Sequence, residues 1–426
     1  MRDTIFALSS GSPPAGIAVI RISGPQASDA LRSLAGELTP PRLARYRVLR
    51  NAGGDALDQA LVLWFPGPGT VTGEDLAELH LHGGRAVIAA VEAALAALPG
   101  LRRAEAGEFT RRGFLHGRLD LAEAEGLADL LAAETELQRQ AAMIMAGGAF
   151  SRRVEDWRER ILMLSAQVES LLDFSDEDDV GTLPETFFDE AGALKDEIEL
   201  HLAQPRAEAL KEGYRVALAG PPNAGKSTLF NALLDSEAAI TSPIAGTTRD
   251  VLERPVAFAG IPFTFVDMAG LRGEGGDAIE EIGIGRAWSE MDRADLVLWL
   301  GPEGEGPASA VEVEAQIDRP DHATKTDPVF RLSALSGEGI GELKQALVER
   351  ARKALPKPGM AALNLRQRTR LHEARLALAG LRDKGEDLLL VGEDLRYARA
   401  AFDRLVGRTS TEDMLDALFG RFCIGK

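Results

Sequence analysis

One octapeptide, Gly220-Pro221-Pro222-Asn223-Ala224-Gly225-Lys226-Ser227, constrains this chain more than any other feature. It satisfies every fixed position of G-x-x-x-x-G-K-[S/T]. It also stands between an apolar strand-like run, Arg215 to Ala219, and a helix-like run, Lys226 to Leu234. That context demands a loop whose glycines turn backbone N–H groups toward phosphates, with the positive end of a helix behind them. In such a loop Lys226 reaches the β- and γ-phosphates and Ser227 ligates Mg²⁺.

The residues beyond the loop keep the order of a nucleotide switch. Gly246-Thr247-Thr248-Arg249-Asp250 falls after the first helix, where Thr248 would complete the Mg²⁺ shell. Val256 to Phe258 and Phe263 to Val266 pair around Ala259-Gly260 as a hairpin. Its second strand ends at Asp267-Met268-Ala269-Gly270, with Asp267 holding the metal through water and Gly270 approaching the γ-phosphate. Loops of this kind are ordered by γ-phosphate and Mg²⁺. Later strand-like runs, Leu296 to Leu300 and Val329 to Leu332, and a helix from Gly341 to about Ala354 complete a doubly wound α/β unit.

Base selection has two candidate segments. Thr324-Lys325-Thr326-Asp327 has the letters of a guanine motif, but no strand precedes it and five residues separate it from Ser333. Ala315-Gln316-Ile317-Asp318 follows the strand-like Val311-Glu312-Val313 and leaves room for a helix before Ser333. The second is favoured, with Asp318 accepting the guanine N1 and N2 protons and a backbone N–H of Ser333-Ala334-Leu335 meeting O6. Gln316 then stands where lysine would wall the ring. Hydrolysis needs a group to orient water, and Leu271 after Gly270 has none to offer. Glu280 is a candidate, competing with a plainer role as an acid in a first helical turn.

The rest of the chain has other textures. Up to about residue 116, short β-like runs (Ile17 to Ile22, Ala60 to Phe65, Leu76 to Leu81) alternate with turn clusters and one helix, Ala86 to Ala97, an α+β pattern. Leu119, Ala122, Leu127, Leu130 and Leu131, then Ile161, Leu164, Val168 and Leu172, recur at helical steps. The acidic run Asp173 to Asp179 reads as a loop or helix end, and helical texture returns from about 361 to 420. The simplest organisation is residues 1–117 as one domain, 118–210 and 356–426 as a split helical domain, and 211–355 as the inserted nucleotide domain.

Charge narrows the partners. Forty-eight basic against 66 acidic side chains give −18, a field that repels phosphate backbones. An RNA substrate would need a local basic patch, such as Arg102-Arg103, Arg111-Arg112 or Arg366 to Arg370, or a partner to hold it. Those arginines read equally as solvated faces and ion-pair donors. Cys423 is the single cysteine, so there is neither an internal disulfide framework nor a cysteine zinc site, which fits a cytoplasmic protein. Its thiol is either a nucleophile or a small buried hydrophobe. His80 and His82 alternate along a strand without carboxylate spacing that would make a metal site. No apolar run approaches membrane-spanning length.

Taken together, GPPNAGKSTL, AGTTRD, DMAGLR, Arg21-Ile22-Ser23-Gly24, FPGPGTVTGEDLAELHLHGG (Phe65 to Gly84), AGEFTRRGFLHGRLDLAEAEGLADLL (Ala106 to Leu131) and the terminal Phe422-Cys423-Ile424-Gly425-Lys426 resemble the tRNA modification GTPase MnmE (TrmE) family over essentially the whole chain. The resemblance implies an N-terminal α+β folate-binding domain, a discontinuous all-α domain and an inserted Ras-like P-loop GTPase domain. It implies that GTP contacts Asn223, Ala224, Gly225, Lys226, Ser227, Thr228, the segment Ser242-Pro243-Ile244-Ala245-Gly246-Thr247-Thr248, Asp267-Met268-Ala269-Gly270, Asp318 and Ser333-Ala334-Leu335. Asn223 would bind K⁺ in place of an arginine finger, with Ser242, Ile244 and Thr247 completing its cage, and Glu280 would help position water.

Arg21, Glu78, Arg118 and Lys426 would line a pocket for 5,10-methylene- or 5-formyl-tetrahydrofolate. Arg118 stands where the family pattern has lysine, and Met268 where it has threonine. The implied assembly is a homodimer joined by the FAD-binding partner MnmG as a heterotetramer. Its implied product is a carboxymethylaminomethyl or aminomethyl group on C5 of the wobble uridine, position 34, of certain tRNAs. A ribosome- or RNA-assembly GTPase that acts only as a binding switch would share the GTPase motifs but has no use for Arg21, Glu78 or the terminal segment.

Overall fold

The computed structural model describes residues 3–173, 182–235, 252–267, 290–384, 387–409 and 412–426. The acidic run 174–179 therefore lies outside the described residues. The chain divides into two compact units, Met1–Ala128 with Asp403–Lys426, and Asp129–Phe402.

The first unit is built on strands β1 (Thr4–Leu8), β2 (Ala15–Ser23), β3 (Arg45–Arg50), β4 (Ala56–Phe65), β5 (Leu76–Gly83) and β6 (Leu101–Arg103). They form one six-stranded sheet in the order β3-β4-β5-β2-β1-β6, antiparallel except for the β1–β6 pair. Helices α1 (Ala27–Ala35) and α2 (Arg85–Ala96) cover one face, burying Phe6, Ile20, Ile22, Leu79 and Leu81 against Leu31 and Val91. Side chains alternate along a strand, so Ile5 and Ala7 turn to the other face and pack with Phe109. Phe109 belongs to α3 (Glu108–Leu115), which precedes α4 (Leu121–Leu131).

The chain's last residues close this unit. Phe419, at the end of helix Glu412–Phe419, and Phe422 pack with Leu121 and Ala124. Ile424 bridges Ala106, and the Gly425 carbonyl accepts from Ser9 Oγ at 2.8 Å. Gly425 has φ +98°, and a Cβ there would fall 2.0 Å from the Leu8 carbonyl oxygen, so only glycine fits.

The second unit begins with α5 (Glu136–Ala146), α6 (Ala149–Asp173), α7 (Glu185–Leu202) and α8 (Ala207–Glu212), and ends in helices Leu365–Ala379 and Leu388–Leu405. Trp157 on α6 is fully buried, stacks on Phe402 at 5.9 Å and donates its indole N–H to Glu197 at 3.0 Å. Between these helices lies the second sheet: β7 (Tyr214–Ala219), β8 (Leu252–Phe258), β9 (Ile261–Asp267), β10 (Leu296–Trp299), β11 (Val311–Glu314) and β12 (Phe330–Arg331). Its order is β12-β11-β10-β7-β9-β8, parallel throughout except for the β8–β9 hairpin. Every residue of β7 is buried, as expected for a strand covered on both faces. Helix α9 (Lys226–Asp235) runs directly from the loop after β7, and helix Ile340–Ala354 follows the last strand of this sheet.

Two sequence expectations need correction. The run Val329 to Leu332 is strand only at Phe330–Arg331, although the N–H groups of Val329 and Leu332 still bond the Glu312 and Glu314 carbonyls of β11 at 3.0 and 2.9 Å. No helix forms between Asp318 and Ser333. That span holds turns pinned by His322 and Lys325, whose side chains return to β11.

Candidate nucleotide-binding site

The loop after β7 adopts backbone angles that most side chains avoid. Gly220 has φ +145° and Gly225 +89°, while Asn223 is left-handed at 66°. Those reversals turn the strand into the first turn of α9 within a few residues. Lys226 is 7% exposed, and its Nζ donates to the carbonyls of Gly220 at 2.9 Å and Pro221 at 2.8 Å. The ammonium is thereby held over the loop that the sequence assigns to phosphates. Ser227 and Thr228, in the first turn of α9, are exposed, as is Asn223 at the loop's crown, while Ala224 packs on the core.

Across from this loop stands the segment after β11. Gln316, itself left-handed at φ 60°, donates its side-chain amide to the Asn223 carbonyl at 3.2 Å. A Cβ on Gly225 would come within 3.1 Å of that amide nitrogen, so the glycine is what lets the two loops approach. A cavity lies beside this contact, lined by Gly225, Thr228, Gln316, Asp318, Ala334 and Leu335. Asp318 is exposed at its rim. Ser333 is fully buried; its N–H bonds the Glu338 carbonyl at 3.0 Å and its hydroxyl accepts from Ser336 N–H at 3.1 Å. Ser333 thus shapes the turn, and Ala334 and Leu335 carry it to the cavity.

The rival base segment is placed differently. Lys325 pairs with Glu312 and donates to the Trp299 carbonyl at 2.9 Å, while the N–H groups of Thr326 and Asp327 bond Glu303 at 2.7 and 3.0 Å. These contacts tie that segment to the loop after β10 and to β11.

Ser242, Pro243, Ile244, Ala245, Gly246, Thr247, Thr248, Met268, Ala269, Gly270 and Glu280 lie outside the described residues. Asp267 closes β9, where its backbone pairs with Leu218.

In the first unit, Arg21 and Glu78 face each other in the β2–β5 register and form an ion pair at 2.9 Å. The Arg21 guanidinium also lies 5.8 Å from the Phe109 ring centroid, and the backbone N–H of Phe109 bonds the Lys426 carbonyl at 3.2 Å. Three of the four residues assigned to a folate pocket are therefore linked through one short chain of contacts. Arg118 Nε donates to the Thr70 carbonyl at 3.0 Å, on the loop that leads to Thr72 and Glu74.

Sequence reasoning missed the network beneath this surface. Arg112 is 0% exposed and reaches Glu108 at 2.9 Å, Glu74 at 3.0 Å and Asp3 at 3.1 Å. Ser23 Oγ adds a bond to Glu74 at 2.9 Å and shares another with Thr72 at 2.8 Å. Burial raises the Glu108 pKa, but hydrogen bonds from Arg102, the Glu105 N–H and Arg112 outweigh it and hold the carboxyl below its ordinary value. The signal that could have found this network was the i, i+4 spacing of Glu108 and Arg112 beside an acidic TGED turn.

Several surface readings resolve toward structure. Arg103 pairs with Glu92 and Arg111 with Asp416, Arg368 donates to the Gln204 and Leu202 carbonyls, and Arg370 pairs with Glu373. His80 bonds Glu78, and His82 bonds Asp58. Among the described residues no group of three or more His, Cys, Asp or Glu is placed to hold a metal, and no helix is long and apolar enough to cross a membrane. The Cys423 thiol is exposed, not a small buried hydrophobe, because Phe422 takes the inward position beside it.

Comparison with known proteins matches the TrmE N-terminal model over residues 4–118 and the MnmE helical-domain model over residues 121–423. A protein of Erythrobacter litoralis named tRNA modification GTPase MnmE is 62% identical over all of both chains. A protein of the same name from Novosphingobium aromaticivorans is 60% identical, again over all of both chains. Among solved structures, the G domain of the T. maritima FeoB iron transporter aligns at 28% identity over 32% of this chain and 98% of its own, with a TM-score of 0.23.

Proposed function

Since this chain belongs to the tRNA modification GTPase MnmE family, we propose that it couples K⁺-dependent GTP hydrolysis to modification of the wobble uridine, working as a homodimer with the FAD-binding partner MnmG. It is a GTPase of tRNA modification. The product is a carboxymethylaminomethyl or aminomethyl group on C5 of uridine 34, with a tetrahydrofolate supplying the one-carbon unit. Residues 1–117 bind the folate, 118–210 with 356–426 form the helical domain, and 211–355 hydrolyse GTP.

The observation that carries this reading is the facing pair of loops, with Lys226 over the phosphate loop and Gln316 bonded to Asn223. Lys226 holds the β- and γ-phosphates, Ser227 and Thr248 take the Mg²⁺, and Asn223 with the backbone of Ser242, Ile244 and Thr247 takes the K⁺. The loop fits these groups, because positive φ at Gly220, Asn223 and Gly225 is the backbone that lets successive N–H groups converge on a phosphate, and the exposed Ser227 and Asn223 side chains carry oxygens suited to cations. When bound, the two cations supply positive charge against the charge that develops on the transferring phosphoryl group. Asp318 accepts the guanine N1 and N2 protons, and Glu280 orients the attacking water. Arg21, Glu78, Arg118 and Lys426 orient the folate. At a net charge of −18, the tRNA is held mainly by the partner.

Single-turnover hydrolysis of GTP and of ATP, each in KCl and in NaCl at matched ionic strength, tests the reading. GTP cleavage accelerated by K⁺ with ATP inert is the expected result. Equal rates in the two salts would remove the K⁺ mechanism and favour a binding switch. Rapid ATP turnover would overturn the assignment of Asp318. Nucleoside analysis of tRNA from cells lacking the gene, complemented with this chain or with a version shortened by its last five residues, tests the folate arm. Restored modification by the shortened chain would sink it.

A further inference from the structure

The turn that carries Asp318 is short and strained, and one histidine closes it. Gln316 enters the turn in a left-handed conformation, φ 60°, that residues other than glycine seldom adopt. Two successive turns come next, Arg319 N–H to the Gln316 carbonyl at 2.9 Å and His322 N–H to the Arg319 carbonyl at 3.4 Å. His322 then folds back with both ring nitrogens engaged. Nδ1 lies 2.7 Å from the Arg319 carbonyl oxygen, and Nε2 lies 2.9 Å from Glu314 Oε1.

Each of these partners is an oxygen that accepts. A carbonyl has no proton to give, and Glu314 is held ionised by Arg331, whose Nε sits 3.1 Å from its other oxygen. A neutral imidazole carries a single N–H and can satisfy only one of the two. Both contacts are made together only when the ring carries two protons. Glu314 is 2% exposed, so water competes weakly for its contact with the ring. The charged groups facing the ring are Glu314 from β11 and, behind it, Arg331 from β12.

We propose that His322, as an imidazolium, is a clasp that positions Asp318 for the base, so that this chain's guanine nucleotide affinity is set by pH through one side chain. The proposal rests on the reading of Asp318 as the base-selecting carboxylate. His322 is a positioning residue, since it acts through the turn. The hydrogen bond to Glu314 and then that to Arg319 raise its pKa above the ordinary 6.5. A raised value means that the clasp is fully closed below the ordinary histidine range and opens as pH climbs through the folded value.

The test is the dissociation constant of a fluorescent GDP analogue for the full-length protein, measured from about pH 6.5 to about pH 8.5. The variants are His322→Gln, which cannot carry charge, and His322→Lys, which keeps it; ionisation of the nucleotide cancels between them. Binding to the unsubstituted chain should weaken roughly five- to tenfold over this range, the scale of one hydrogen bond. His322→Gln should start at the weak limit and change little, and His322→Lys should stay tight at the alkaline end. A His322→Gln profile that overlays the original overturns the clasp.

Asp318→Asn, scored for a switch from guanine to xanthine nucleotide, tests the underlying reading separately. If guanine preference survives in Asp318→Asn, the base assignment fails. Amide exchange of residues 316–322 in the nucleotide-free protein then still reports the clasp. Exchange that quickens with pH beyond its intrinsic rate, and does so in the original but not in the Lys variant, supports it. Identical exchange in both removes it.

Discussion

The two motif-rich loops of this molecule use their charged residues in opposite ways. In the first unit, acidic residues of the TGED turn and of α3 are consumed internally: Glu74 and Glu108, with Asp3 ahead of β1, surround Arg112, which water does not reach. In the second unit, Asn223, Ser227, Thr228 and Asp318 are exposed, Thr228 and Asp318 at the edge of a cavity, and only Lys226 is drawn in. The contrast teaches that a recognisable string of charged letters marks either a ligand surface or a folding device. Burial is what separates them. A buried ion network persists only when every member is paired, whereas a ligand loop must leave its polar groups available.

The contrast breaks most sharply at Arg112. Arg112→Met leaves Glu74 without its cation while Asp3 and Glu108 keep Arg102, and the first unit should lose about 3–5 kcal/mol, the cost of opening a buried pair. Guanine nucleotide binding by the second unit should be unchanged, so a lowered melting transition with retained binding is the expected result. Loss of both together would contradict the separation.

Lys226→Ala is the mirror experiment. It removes two bonds to carbonyls and should leave the melting temperature nearly unchanged while weakening GTP about 100-fold, the scale of one or two lost charge-assisted bonds. Isothermal titration decides it.

Acid sharpens the distinction further. Burial raises the Glu108 pKa, but bonds from Arg102, the Glu105 N–H and Arg112 lower it further. The carboxyl's contribution is therefore present above its ordinary value of 4.5 and lost as pH falls through the depressed one. Urea melts recorded between about pH 6 and about pH 3 should show the first unit failing at the acid end, with Arg112→Met less sensitive than the original.

The smallest effect belongs to Arg21→Gln. Its pair with Glu78 is partly exposed and worth about 1 kcal/mol or less to folding. Stability should barely move while tetrahydrofolate affinity falls, and unchanged folate binding would remove Arg21 from that pocket.

Much of the fold was legible because periodicity and turn chemistry are local. The strand at Tyr214–Ala219, the helix from Lys226, the hairpin around Ala259-Gly260 and the helix ending at Ala354 match their sequence patterns to within a few residues. The strands Thr4–Leu8, Arg45–Arg50 and Leu101–Arg103 do not stand out in the sequence. Thr4–Leu8 is an interior strand buried on both faces, and the other two lie at the sheet edges, so none shows a clean alternation. The turns between Asp318 and Ser333 are hidden for a related reason. What holds them is a set of side-chain bonds from His322 and Lys325 to β11, contacts that spacing alone cannot reveal.

The sequence by itself determined that this chain binds a nucleotide phosphate, because glycines, lysine and serine at fixed spacing permit few other backbones. It also determined the α/β and α+β textures and the family. Only the tertiary structure decided that Arg112 is a core residue, that Gln316 bonds the phosphate loop, that Lys325 is tied to its own sheet and that His322 closes the turn bearing Asp318. Each of these depends on which distant residue shares a side chain's surroundings. Burial and pairing are properties of the folded assembly, and no local run of letters carries them.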